Sequence, residues 1–277
     1  MNAESVPPSI GLIVIGDEIL SGRRSDQHLS KVIELLTARG LLLDWARYVG
    51  DDTDQIAAVL REVFATRAIV FCTGGIGATP DDCTRQAAAA ALGVPLQLHA
   101  EAKRLIQQRQ QAVAQEKGQP WEPERADNLQ RLKMGEFPAG ARIVPNPYNQ
   151  IPGFACSGPG GATVYFTPGF PVMAWPMIAW ALESEPALAA PGAGWREHSV
   201  IVFDTPESVL TPLLEQLQNT HPAIHIFSLP SVDHPDYGPH IDLGVKGPPQ
   251  ATEVAFGDLL KLLAPLHLRY GPQRVRP

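Results

Sequence analysis

Residues 68–84 read Ala-Ile-Val-Phe-Cys-Thr-Gly-Gly-Ile-Gly-Ala-Thr-Pro-Asp-Asp-Cys-Thr, and no other stretch restricts the fold of this chain as strongly. Its opening run of β-branched and aromatic residues, without polar alternation, predicts a buried strand. Gly74, Gly75 and Gly77 follow, and then an alanine-rich helical run from Thr84 to Leu92. A strand, a glycine loop and a helix in that order present free backbone N–H groups and the positive end of a helix dipole to an anion. Asp81 and Asp82 at the helix start suit capping and the dipole. They would also repel a bare phosphate, so Mg²⁺ or another divalent ion is expected to bridge carboxylate and phosphate oxygens. Without that ion, a capped helix after a tight turn explains a glycine loop about equally well. The stretch is not a Walker loop, because no Gly-Lys-Ser/Thr follows, and it lacks the Gly-x-Gly-x-x-Gly of a dinucleotide fingerprint.

The preceding chain places this loop in a repeating pattern. Ile10–Ile15 predicts an apolar strand, followed by Gly16-Asp17-Glu18, which by itself reads as a turn with two solvated acids. Asp26 can cap a helix whose apolar residues Leu29, Val32, Ile33, Leu35 and Leu36 recur at helical spacing up to Gly40. Leu41–Val49 predicts a second strand. Gly50-Asp51-Asp52 and an amphipathic helix ending at Phe64 come next, with Asp51 or Asp52 as N-cap. The order β-α-β-α-β-α predicts a parallel sheet, with a ligand site outside the carboxyl ends of its strands. Beyond it come an extended piece at Pro95–Leu98, a polar helix at Ala100–Glu116 suited to a solvated or subunit-facing position, and a helical run at Pro123–Met134. Many of the 27 prolines fall between Pro120 and Pro191 and predict irregular connections there, interrupted by a strand at Val164–Thr167 and a last helix opened by Pro168–Pro171.

With 277 residues the chain is long enough for two domains. A Pro/Gly/Ala-rich stretch within 185–196 predicts a linker, separating residues 1–184 from a small domain at 197–277. In the latter, strands at His198–Phe203, Ile224–Leu229 and His240–Val245 and helices at Pro206–Leu217 and Ala251–Leu263 predict a β-α-β-β-α arrangement. The spacing of His225, His234 and His240 fits no compact metal motif. Net charge is −7 without a basic run, which argues against nucleic acid as a partner. Three cysteines without ligand spacing suit a reducing compartment. No apolar stretch approaches a membrane span, so a cytoplasmic protein is expected.

Thr73, Gly74, Gly75, Gly77, Thr79, Asp81, Asp82 and Thr84 together resemble the Thr-Gly-Gly-x-Gly-x-Thr-x-Asp-Asp-x-Thr signature of the CinA N-terminal domain, within the MoaB/Mog molybdopterin-binding family. Gly16-Asp17-Glu18 resembles the group's second signature, and Pro138–Phe154 with Pro168-Gly169-Phe170-Pro171 resembles two later segments. The resemblance implies an α/β fold: a three-layer α/β/α domain with a mostly parallel sheet, followed by a small C-terminal α+β domain of ferredoxin-like type. It places Gly16, Asp17, Glu18, Thr73, Gly74, Gly75, Gly77, Thr79, Thr84, Asn146, Pro168 and Gly169 around a ligand that bears phosphate, either a molybdopterin-type pterin or an adenine nucleotide.

In the alternative implied by the CinA branch, a metal-dependent pyrophosphatase acting on ADP-ribose or FAD-like dinucleotides, Asp51 and Asp82 are catalytic and Asp51, Asp81 and Asp82 hold the metal. A non-catalytic member with an assembly or regulatory role is the remaining reading. A homo-oligomer, dimer or trimer, is expected. Four positions depart from the group's pattern: His28 for Asn, Ala78 for Pro, Asn149 for Gly, and Met173 where the group carries Glu. Asn149 preserves a turn that tolerates αL, and Met173 is expected to pack in the core. Because the chain stops near the end of the second domain, the amidohydrolase module of full-length CinA proteins, and with it nicotinamide-nucleotide deamidation, is not expected.

Overall fold

The computed structural model describes residues 8–189 and 195–276. The expected linker at 185–196 falls partly outside this range. Inter-residue contacts divide the chain into two units, residues 1–36 with 43–190 and residues 37–42 with 191–277.

The elements of the first unit are β1 (Ile10–Ile15), α1 (Asp17–Leu20), α2 (His28–Thr37), β2 (Trp45–Val49), α3 (Thr53–Phe64), β3 (Ile69–Thr73), α4 (Thr84–Leu92), β4 (Leu96–Leu98), α5 (Ala100–Glu116), α6 (Ala126–Leu132), β5 (Glu136–Pro138), β6 (Arg142–Val144), β7 (Gly153–Ser157), β8 (Thr163–Thr167), α7 (Pro171–Ser184) and α8 (Pro186–Ala189). Six strands form one sheet in the order β2-β1-β3-β8-β7-β6, and β4 pairs with β5 separately. The pairs β1–β2, β1–β3 and β3–β8 are parallel, whereas β7 runs antiparallel to both neighbours. This is the mixed, mostly parallel sheet expected.

β1 and β3 are buried along their whole length, which is why they read as unbroken apolar runs. One face of the sheet (Val70, Cys72, Val164, Phe166) packs against Ile56, Ala57 and Leu60 of α3 and Ala87 and Ala88 of α4. α7 packs on β8 and buries Ala174, Met177, Ile178, Ala181 and Leu182.

Several boundaries differ from the sequence reading for identifiable reasons. The second strand starts at Trp45 rather than Leu41. Asp44 Oδ2 accepts the Ile10 N–H at 2.6 Å and the Asp44 N–H donates to the Ile10 carbonyl, so ladder pairing begins one residue later, at Gly11–Trp45. Gly16-Asp17-Glu18 opens the short helix α1 instead of a plain turn. The helical run at 123–134 is shorter, Ala126–Leu132, and closes in a 3-10 turn at Lys133–Gly135. The proline-rich region holds β5, β6 and β7 as well as the expected β8 and α7.

In the second unit, β9 (Arg196–Phe203), α9 (Glu207–Thr220), β10 (His225–His234), β11 (Gly238–Gly247), α10 (Pro249–Leu263) and β12 (Tyr270–Arg276) form an antiparallel sheet ordered β10-β11-β9-β12. Its β-α-β-β-α-β sequence completes the ferredoxin-like arrangement with a strand that the sequence reading lacked. Leu210, Leu213, Ala255 and Leu259 of the helices pack on Val200, Val202, Leu243 and Val245. Among the described residues no helix is long and apolar enough to cross a membrane.

Candidate functional site

β1, β2, β3 and β8 are parallel, so their carboxyl ends open at one edge of the sheet, where crevices in such sheets form. The loop after β3 is tied down at several points. The Gly74 N–H donates to Thr167 O at 3.0 Å, the Thr84 N–H to Gly75 O at 3.0 Å, and Thr84 Oγ1 to Gly74 O at 3.1 Å. Gly74 (φ 104°) and Gly75 (φ 66°) lie in the left-handed region. A Cβ there would come within 2.2 Å of Ile15 O and Thr84 Oγ1 respectively, so both positions demand glycine.

The acidic pair does not cap α4 as expected. Cys83 occupies the N-cap position without a side-chain bond, and the first turn carries no acid. Asp82 instead closes the loop on itself: its Oδ2 accepts the Thr79 N–H at 2.9 Å and the Thr79 hydroxyl at 2.5 Å. The N–H groups of Gly75, Ile76, Gly77 and Ala78 have no acceptor among the described residues. Such donors require water or a ligand.

A cleft of about 400 Å³ lies against this loop. Its walls come from Gly75–Thr79 and Asp82, from Asn146, Asn149, Ile151 and Pro152 between β6 and β7, from Pro168–Phe170 after β8, and from Met134 and Met173. Seven expected site residues therefore meet in it: Gly75, Gly77, Thr79, Asp82, Asn146, Pro168 and Gly169. Thr73, Gly74 and Thr84 are buried behind it. Asn146 is structural as well as cleft-lining, since its Nδ2 donates to Asn149 Oδ1 at 2.8 Å and Ile151 O at 2.9 Å, while its Oδ1 takes the Tyr148 N–H.

Gly16, Asp17, Glu18 and Asp51 do not line this cleft, because β1 and β2 end on the far side of β3 from β8. Asp17 and Asp51 hold one another's backbones: the Asp17 N–H donates to Asp51 Oδ2 at 2.9 Å and the Asp51 N–H to Asp17 Oδ1 at 3.2 Å. Partial burial and then the charges of Asp17, Glu18 and Asp81 raise the Asp51 carboxyl above its ordinary range, against the opposing Asp17 N–H bond. Asp52, not Asp51, is the N-cap of α3, accepting the Gln55 N–H at 2.8 Å. Among the described residues no three His, Cys, Asp or Glu side chains are arranged to hold a metal ion.

The four departures have definite places. His28 Nε2 lies 3.0 Å from Gly169 O, bracing the loop after β8. Ala78 O accepts from Gln130 Nε2 at 3.2 Å. Met173 is a cleft residue rather than a core one, and its Sδ takes a 3.3 Å contact from Asn149 Nδ2. The sequence reading passed over Met134, Ile151 and Phe170, whose apolar character gave no sign of a wall, and Arg85, a lone charge at the head of an alanine helix.

Residues 11–190 match the family model described as "Probable molybdopterin binding domain". The chain belongs to this molybdopterin-binding domain family. A CinA-like protein of Anaeromyxobacter sp. is 34% identical over 167 residues, 60% of this chain and 38% of that protein. A protein of Pyrobaculum calidifontis is 29% identical over 92% of this chain and 95% of its own length. The crystal structure of CinA from Thermoplasma acidophilum, a protein of unknown function, superposes with a TM-score of 0.53 at 28% identity, covering 63% of this chain and 96% of that one. These matches make this chain a CinA-like member of the family.

Proposed function

We propose that the cleft binds a phosphate-bearing pterin of the molybdopterin type, or its adenylylated form, and that it is a binding site rather than a hydrolytic one. The observation that carries this reading is the row of acceptor-free N–H groups from Gly75 to Ala78 along a cleft whose remaining walls are mainly apolar. Such amides suit phosphate oxygens. Met134, Ile151, Pro152, Phe170 and Met173 suit the faces of a planar ring, because thioethers and aromatic rings pack well on π-systems. Asp82 is the one carboxylate among the cleft-lining residues, and its position beside Thr79 suits N–H or O–H donors on the ligand.

The donor set does not fit a divalent ion. Asp82 Oδ2 is engaged by Thr79 and Asp51 Oδ2 by the Asp17 N–H; Asp51 lies at another strand end, and Asp81 is exposed and outside the cleft lining. Titration calorimetry tests the proposal: AMP and a pterin phosphate bind the same site competitively, and Gly75→Ala abolishes both. Absence of heat with either ligand overturns it. ADP-ribose with Mg²⁺, Mn²⁺ or Co²⁺ should release no AMP. Metal-dependent release that is lost in Asp82→Ala would establish the pyrophosphatase reading instead.

A further inference from the structure

Arg85 is the second residue of α4 and only 4% exposed. Its Nη2 donates to Gly77 O at 2.7 Å, its Nη1 donates to Lys133 O, and its Nε has no partner among the described residues. Both bonds end on neutral carbonyls. Asp82 and Glu136 act on the guanidinium through their fields, but neither forms an ion pair with it. A cation taken out of water without a direct ion pair is costly, even with two carboxylates nearby. Burial also pushes the guanidinium below its ordinary pKa, against the pull of those two carboxylates.

The position of this charge relates it to the loop. Gly77 O and the Ala78 N–H belong to one planar trans peptide and point to opposite sides of it. By holding Gly77 O, Arg85 fixes the plane and turns the Ala78 N–H away from itself. Both residues line the cleft, and the N–H groups of Gly77 and Ala78 have no described acceptor. Lys133, the other anchor, precedes cleft-lining Met134. One buried cation thus clamps the glycine loop to the far wall.

We propose that Arg85 is the positioning residue that makes this cleft select a phosphate-bearing ligand: it orients the Gly77–Ala78 peptide and is the buried positive charge that the ligand's phosphate balances. This rests on reading the cleft as a phosphate site. The two contributions differ in range. Peptide orientation is lost whenever the bond to Gly77 O is lost, whereas the field reaches the phosphate through a poorly screened interior.

The test compares AMP with adenosine by titration calorimetry in the wild type, Arg85→Gln and Arg85→Lys, with circular dichroism to establish folding. Arg85→Gln should weaken AMP binding tenfold or more while changing adenosine binding less than twofold. Arg85→Lys keeps the charge but not the two-pronged clamp, so it should fall between them and retain the wild-type decline of AMP affinity with added salt. If Arg85→Gln does not fold, the Arg85→Lys arm decides. Equal losses for AMP and adenosine, or Arg85→Gln binding AMP as the wild type does, would overturn the role of Arg85 and leave the binding site standing. A wild type that binds adenosine and AMP equally well would overturn the phosphate site and this inference together.

Discussion

At the scale of single residues, Asp51 and Asp82 show how one sequence signal divides into two roles. Each lies in a loop after a parallel strand as one of two adjacent acids, Asp51–Asp52 after β2 and Asp81–Asp82 after β3. The fold separates their roles: β2, and Asp51 with it, lies two strands from β3, whereas Asp82 lines the cleft beside the loop after β8. Asp82 became a cleft residue held by Thr79, whereas Asp51 became half of a reciprocal brace with Asp17. The brace predicts a pH effect. Asp51 is raised above its reference value of 3.8, so in the window between that value and its folded pKa the folded chain binds more protons than the unfolded one. Stability from this group therefore falls as pH rises through the window. Asp51→Asn keeps an acceptor for the Asp17 N–H and removes the charge. It should be as stable as wild type below pH 3.8 and more stable at pH 7, as thermal unfolding at the two pH values would show. A variant destabilised equally at both would contradict this account. Arg85 was invisible in sequence for a related reason: only burial distinguishes a charge that clamps a loop from one that solvates a helix.

At the scale of elements, the strands plainest in sequence were those with two buried faces, while β2, mostly exposed, was read with a start four residues too early. Ile10–Ile15 and Ile69–Thr73 needed only their composition. β5 and β6 were hidden by their three-residue length and β7 by its small residues, and the prolines and glycines around them supply tight connections. Gly153, at the start of β7, is a case in point, since a Cβ there would come within 2.2 Å of Phe166 O. Tertiary packing makes this region a sheet. Phe137 stacks on Phe154 at 4.7 Å between centroids, and Phe154 on Phe166 at 4.4 Å. All three rings are buried in the core cluster that includes α3 and α4 residues. Phe154→Ala, at the centre of the stack, should lower the unfolding free energy of the first unit by about 3–5 kcal/mol. Urea denaturation followed by tryptophan fluorescence reads that value, and a loss below about 1 kcal/mol would mean that the stack does not hold β7 in place.

At the scale of the whole molecule, the family match ends at residue 190, and the second unit is an antiparallel α+β fold of its own. Its order was legible as far as α10. β12 escaped because it is an edge strand with exposed polar residues, Gly271 and Pro272, and edges carry little burial signal. The arrangement of the first unit explains why its cleft is where it is: the parallel strands bring the β3 and β8 loops to one edge, and the antiparallel β6–β7 hairpin returns Asn146–Pro152 to the same edge as a facing wall. The central claim is that the acceptor-free amides of that edge hold phosphate. Its most direct test is an assigned amide-resonance titration of the intact chain with AMP and with inorganic pyrophosphate. The account predicts that Gly75, Ile76, Gly77 and Ala78 shift most and saturate together with both ligands. Saturating shifts confined to residues outside this loop, or none at all, would contradict it.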